Sequence, residues 1–155
     1  MTLLQKAAIK RILNANKVNS VTGIYHYNDE YLITNNYLII IVDEELEATK
    51  NNSIDFEKFF KMDNPQELTL PDVKELRTYI SSEKEHLKKC IGDKAVKFDF
   101  GDGLPMVNAQ FLLDIMTILP HAHAEYSPNY PFSIRFNSEN GKAILLSIRK
   151  SKSRY

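Results

Sequence analysis

Four groups of side chains in this sequence have types and spacings that could do chemistry. His121 and His123 stand two residues apart, a spacing that puts two imidazoles on one strand face as metal ligands. No third ligand follows at a familiar spacing, and Pro120 and the flanking alanines read as an exposed loop, so no metal is expected. Cys90 follows His86 by one helical turn and lies beside Lys88 and Lys89, neighbours that favour a thiolate. A nucleophilic pair also needs a third group to orient the base. None is apparent, so a helix-end thiol near solvent is the expectation. Asp43, Glu44, Glu45 and Glu47 cluster, but acid–base work requires one carboxyl shielded from water, and this run reads as a solvated turn.

Asp99-Phe100-Gly101 has the form of the triplet with which protein kinases hold metal, without the glycine loop, strand lysine or catalytic loop that accompany it. Asp and Gly are turn formers, and a turn is the expectation here. The five glycines are scattered and make no phosphate-binding loop. The sequence therefore points away from an enzyme, and no cofactor is expected.

The charges are more informative than the candidate nucleophiles. Lys and Arg number 20, Asp and Glu 20, and the formal net charge is zero. Residues 1–28 nevertheless hold only basic charges, Lys6, Lys10, Arg11 and Lys17, while acidic residues dominate 29–72. The end of the chain, with Lys142, Arg149, Lys150, Lys152 and Arg154, is basic again. A neutral molecule with such segregation can present one cationic face to a polyanion. One cysteine excludes an internal disulfide and fits a reducing compartment. No run approaches the ~20 apolar residues of a membrane span, and no apolar signal region precedes the first helix. A soluble, cytoplasmic chain is expected. At 155 residues it has the length of a single domain, 1–150, with a flexible basic tail at 151–155.

These charges must be positioned by secondary structure. Leu4, Ala8, Ile9, Ile12 and Leu13 recur at helical spacing and predict a helix over 3–16, with Thr2 as its N-cap. Strands follow over 20–27, 31–34 and 37–42, with turns at 28–30 and at Asn35-Asn36. The strand over 37–42 is apolar on both faces and should be covered on both. A short helix over 54–61 and a long one over 71–90 lie in what reads as an insertion, 45–92. A strand over 95–100, a turn at 101–103 and a helix over 108–119 come next, then a loop and a hairpin of strands 132–136 and 143–148 about Asn140-Gly141. The pattern is α+β, with a helix followed by antiparallel strands written twice. On the first helix Lys6, Lys10, Asn14 and Lys17 form a polar stripe. On the long helix Lys74, Arg77, Ser81, Lys84 and Lys88 do the same. Stripes of this kind suit phosphates.

Three local sequences carry a family resemblance. VNAQFLLDIMTILP, residues 107–120, has an Asn followed by an apolar L-L-D-x-L-like run. AILLSIRK, residues 143–150, is an apolar closing strand with an Arg. Ile33-Thr34-Asn35-Asn36-Tyr37-Leu38-Ile39 falls where an A-T-D-G-H-R-L-like segment would lie. In order and spacing these resemble the bacterial DNA polymerase sliding clamps, the ring-shaped processivity factors. The sequence departs from the clamp pattern at Asn35-Asn36 for Asp-Gly, Leu38 for Arg and Ser147 for Pro. The polar face of the second helix, Gln110, Asp114 and Thr117, carries no basic residue, and a bacterial clamp chain has three such domains where this one has room for one.

The resemblance implies a clamp-like domain with two helix-plus-strand units forming a helix layer on a sheet. It also implies that duplex DNA is the partner, gripped by its backbone, with Lys6, Lys10 and Lys17 toward phosphates and self-assembly needed for a ring. Ile39 and the segment Leu146, Ile148 and Arg149 would border a groove for a replication-type protein partner. The Asn-, Lys- and Ile-rich wording fits an AT-rich genome, and a stand-alone domain suits a phage or mobile element. The rival expectation is a protein-binding module on the same fold that leaves DNA alone, favoured by the uncharged second helix and by the acidic residues of 43–72.

Overall fold

The computed structural model describes residues 1–51, 55–128 and 133–150. Among the described residues, nine strands and three α-helices follow one another as α1 (Leu3–Ala15), β1 (Gly23–Tyr27), β2 (Glu30–Thr34), β3 (Leu38–Val42), β4 (Gln66–Leu68), α2 (Val73–Leu87), β5 (Lys97–Asp99), β6 (Met106–Asn108), α3 (Ala109–Ile118), β7 (His123–Tyr126), β8 (Ser133–Ser138) and β9 (Gly141–Leu146). A single 3-10 turn, Glu57–Phe60, lies between β3 and β4. The class is α+β with an antiparallel main sheet.

Each helix begins where a side chain satisfies its orphan amides. Thr2 and Gln5 form a capping box on α1: Thr2 Oγ1 accepts from the Gln5 amide at 3.1 Å, and Gln5 Oε1 accepts from the Thr2 amide at 2.8 Å. Asp72 caps α2 through the Lys74 and Glu75 amides, so Pro71 lies outside the helix and not in its first turn. Asn108 caps α3 through Phe111.

The seven-stranded sheet runs β1-β2-β3-β9-β8-β7-β4, every neighbouring pair antiparallel. Six of its strands, all but the edge strand β4, are two copies of one order. The unit α1-β1-β2-β3 meets the unit α3-β7-β8-β9 across the central β3–β9 pair, a topology with a two-fold axis between those strands. Close approach at that seam sets Gly141: a Cβ there would lie 2.0 Å from the Ile41 carbonyl oxygen. Asn28 and Asn36 take positive φ at the two hairpins of the first unit, as the turn residues predict.

Alternation along the strands divides the apolar residues between two faces. Ile24, Ile33, Leu38, Ile40, Ile134, Phe136, Ala143 and Leu145 pack under the helices, with Ile12, Leu112 and Ile115 above them. Tyr25, Leu32, Ile41 and Ile144 face the other way and are covered by Phe56 and Phe60. That second cover explains why β3 is apolar on both sides. The residues expected as an insertion thus build on every part of the fold, supplying the outer cover, the edge strand β4 and α2, which packs on α3.

Several sequence expectations change. The stretch after α3, expected to be a loop, holds β7, and β4 and β6 appear where no strand was expected. The helix over 54–61 shortens to one 3-10 turn among the described residues. Strand 20–27 starts at Gly23 because Asn19 to Thr22 turn back on themselves, the Thr22 amide bonding the Asn19 carbonyl at 3.1 Å. The expected strand starting at Phe132 and the tail 151–155 reach outside the described residues.

Candidate functional site

The helix layer places α3 between α1 and α2, since α3 packs against both. Lys6, Lys10 and Lys17 are exposed, as are Lys74, Arg77, Lys84 and Lys88. Of these seven only Lys88 has an ion-pair partner among the described residues, Glu85 at 2.8 Å. The two stripes lie on different helices, α1 and α2, which both pack against α3. Lys17 lies beyond the last helical residue, Ala15, in the turn that follows, which removes it from the α1 stripe. Lys6 borders a small cleft with Ile9, Leu46 and Glu47, where an acidic residue accompanies it.

Asp114 corrects the expected polar face of α3. It is fully buried, and its Oδ1 accepts from Arg11 Nε at 3.1 Å, Arg11 Nη2 at 2.7 Å and Gln110 Nε2 at 3.1 Å. The other oxygen, Oδ2, is buried with no hydrogen-bond partner among the described residues. Burial raises the Asp114 pKa above its ordinary value, against the lowering effects of Arg11, Gln110 and Lys84. Arg11 therefore spends much of its charge inside the layer, tying α1 to α3. Lys6, Lys10, Lys17, Lys74, Arg77 and Lys84, by contrast, are exposed with no ion-pair partner among the described residues.

The opposite face of the sheet carries an apolar cleft of about 550 Å³. Tyr37, Ile39, Phe59, Met62, Ile144 and Leu146 line it, with Lys58, Lys61 and Asp63 also at its walls. Tyr37, Phe59 and Leu146 are large apolar side chains about half exposed. Of the residues expected at a partner groove, the fold brings Ile39 and Leu146 together here. Ile148 instead bridges to β6, its amide bonding the Met106 carbonyl at 2.7 Å, and Arg149 is exposed next to it. Phe56 and Phe59, which help line this cleft, carried a sequence signal as part of an apolar cluster in a polar stretch.

The candidate reactive groups are dispersed. His121 follows α3 with positive φ, and His123 starts β7 on its exposed side. Among the described residues no three His, Cys, Asp or Glu side chains gather as a metal site. The exposed Cys90 thiol faces the carbonyl of His86 at 3.7 Å and not its imidazole. The Asp99 carboxylate accepts from the Gly101 amide at 2.9 Å and pairs with Lys150 at 2.7 Å; the Lys150 hydrogen bond, foremost, lowers its pKa. The Asp-Phe-Gly triplet is not itself a turn: Asp99 ends β5, paired with Met106, and the turn follows it. There the Leu104 amide bonds the Gly101 carbonyl at 3.1 Å, while the Asp99–Lys150 pair ties Lys150 to the β5–β6 hairpin. Among the described residues no helix is long and apolar enough to cross a membrane.

Comparison with models of protein families, with curated proteins and with solved structures finds no match to this chain.

Proposed function

We propose that this chain is a non-enzymatic, DNA-associated accessory factor resembling one domain of a sliding clamp, and that its helix layer contacts the duplex backbone. The observation that carries the reading is the paired topology: two helix-plus-three-strand units meet at β3–β9, with α1 and α3 side by side on one face of the sheet. Exposed cations on α1 and α2, largely without acidic partners, add the electrostatic half of the argument.

The departures from the clamp sequence at Asn35-Asn36 are compatible with it. Asn35 Oδ1 accepts from the Tyr37 and Leu38 amides at 3.0 and 3.3 Å, as an aspartate would. Asn36 has φ of 76°, the region that glycine favours. The amide form is useful in its own right, because Asn35 Nδ2 also donates to the Ile12 carbonyl at 3.0 Å, which a carboxylate could not do.

Contacts of this kind grip phosphates without reading bases. The test is fluorescence anisotropy with a labelled duplex over a salt series, for the wild type and for Lys10→Glu, Arg77→Glu and Lys84→Glu. Each lost phosphate contact should flatten the plot of log K against log salt by about 0.9. Binding that ignores salt, or no binding at low salt, rejects the reading.

The apolar cleft favours a second reading, a protein-binding module on the same fold. Its distinguishing result is a partner whose binding is lost in Leu146→Glu or Ile39→Glu and unchanged by the lysine reversals.

A further inference from the structure

We propose that residues 43–51 form a strap that closes the β1 edge of the main sheet against strand addition by a second copy of this chain. The inference stands apart from DNA binding and bears on self-assembly, which the resemblance to a ring-forming family raises.

An open sheet edge presents unpaired amides and carbonyls to any extended chain. On β1 the Ile24 groups turn outward to that edge, and the strap takes both. The Ile24 amide donates to Thr49 Oγ1 at 2.9 Å, while its carbonyl accepts from the Thr49 and Lys50 amides at 2.8 and 3.1 Å. Tyr25 pairs with Lys50 in an isolated parallel bridge, and Lys50 Nζ donates to the Ser20 carbonyl at 2.9 Å. Upstream, the strap is held by a Glu44 ion pair with the Met1 ammonium and by Leu46 against the main core.

Gly23 fits this arrangement. A Cβ there would lie 2.6 Å from Lys50 Cγ and 2.9 Å from Thr49 Oγ1, so the first residue of β1 is bare where the strap crosses it. The other end of the sheet is blunted differently, by the three-residue strand β4, which follows Pro65 and precedes Pro71. One edge is strapped and the other is short, so neither offers a second copy a long strand to pair with. The β1–β2 ladder has five residue pairs against the strap's single bridge, which makes the strap the weaker neighbour of β1.

Light scattering across a concentration series tests this on the full chain, with Gly23→Val and Thr49→Pro as the strap-releasing variants. Valine crowds the strap while suiting a strand, and proline removes the Thr49 amide donor. The wild type should keep the monomer mass throughout. Both variants, folded by circular dichroism, should move toward the dimer mass as concentration rises. Hydrogen exchange at the wild-type Ile24 amide decides the matter if neither variant folds, and it should be slowed at least tenfold relative to an unstructured amide. A wild-type oligomer, folded variants that stay monomeric, or an Ile24 amide exchanging at the unstructured rate would each overturn the strap.

Discussion

The two halves of the sheet are built alike and their helices are used differently. In α1, three of 13 residues are buried, Ala8, Ile9 and Ile12, Gln5 and Leu13 are half-buried, and the other eight are exposed. In α3, six of ten are buried, because α1 flanks it on one side, α2 on the other, and the sheet lies below. A helix with three packed sides has little surface for charge. Its one acidic group, Asp114, is turned inward to hold Arg11. Exposed positive charge on this face must therefore come from the outer helices, and Lys6, Lys10, Lys74, Arg77 and Lys84 supply it.

The sharpest way to break this comparison is to truncate one leucine on each helix. Leu112→Ala on α3 removes a fully buried side chain and should cost about 2–5 kcal/mol. Leu4→Ala on α1 alters a side chain that is 62% exposed and should stay within about 0.5 kcal/mol. Urea midpoints measure both, and similar losses would mean that α1 is buried as deeply as α3.

The tie between the helices should be asymmetric. Arg11→Ala leaves the Asp114 carboxylate buried beside Gln110 and should cost about 2–3 kcal/mol. Asp114→Asn frees a half-exposed arginine into water and should cost less than about 1 kcal/mol. Equal losses for the two would show that direct attraction, and not burial of the acid, dominates the pair.

The same site sets a pH dependence. The pKa of Asp114 is raised in the folded chain, so the folded state binds its proton more tightly than the unfolded state does. Its burial is tolerated best below the ordinary value of 3.8, and stability is lost as pH rises through the raised value. Relative to Asp114→Asn, the wild type should lose melting temperature as pH climbs from about 4, and a flat difference would sink the assignment. Asp99, with a lowered pKa, acts in the opposite sense: what it contributes is present above 3.8 and lost on further acidification.

The hairpins of the two units differ in what they require of their turn residues. In the second unit Gly141 is required for space, so Gly141→Ala should cost about 1–3 kcal/mol. In the first unit Asn36 is required for conformation. Asn36→Ala should cost about 1 kcal/mol, and Asn36→Gly should be neutral within about 0.5 kcal/mol. Thermal melts of the three variants would show whether the two hairpins are specified by different means.

Local chemistry was legible in the residues themselves. The three helices announce themselves through apolar spacing and α1 also through its cap at Thr2, while the caps Asp72 and Asn108 emerge only in the fold. The hairpin turns are marked by Asn28-Asp29, Asn35-Asn36 and Asn140-Gly141. The two-sided apolarity of β3 already required two covers. The short strands were harder. Gln66–Leu68 offers one apolar residue, too few for a period, and becomes a strand only because β7 lies beside it. His123–Tyr126 does alternate, but it is only four residues long, and the prolines on either side, Pro120 and Pro128, carry the mark of a loop.

The candidate cleft was half legible. Ile39 and Leu146 carry the mark of the central strands, while Phe59 and Met62 reach them only when the segment after β3 folds over the sheet. By itself, then, the sequence determined the three helices, the strands of the first unit, the hairpin turns and the segregation of charge, because each depends on residues a few positions apart. Tertiary structure alone decided that Asp114 is buried against Arg11, 103 positions away, and that Thr49 and Lys50 cover the edge of β1. Such contacts have no local period to announce them; they exist once packing has brought distant segments within hydrogen-bond reach.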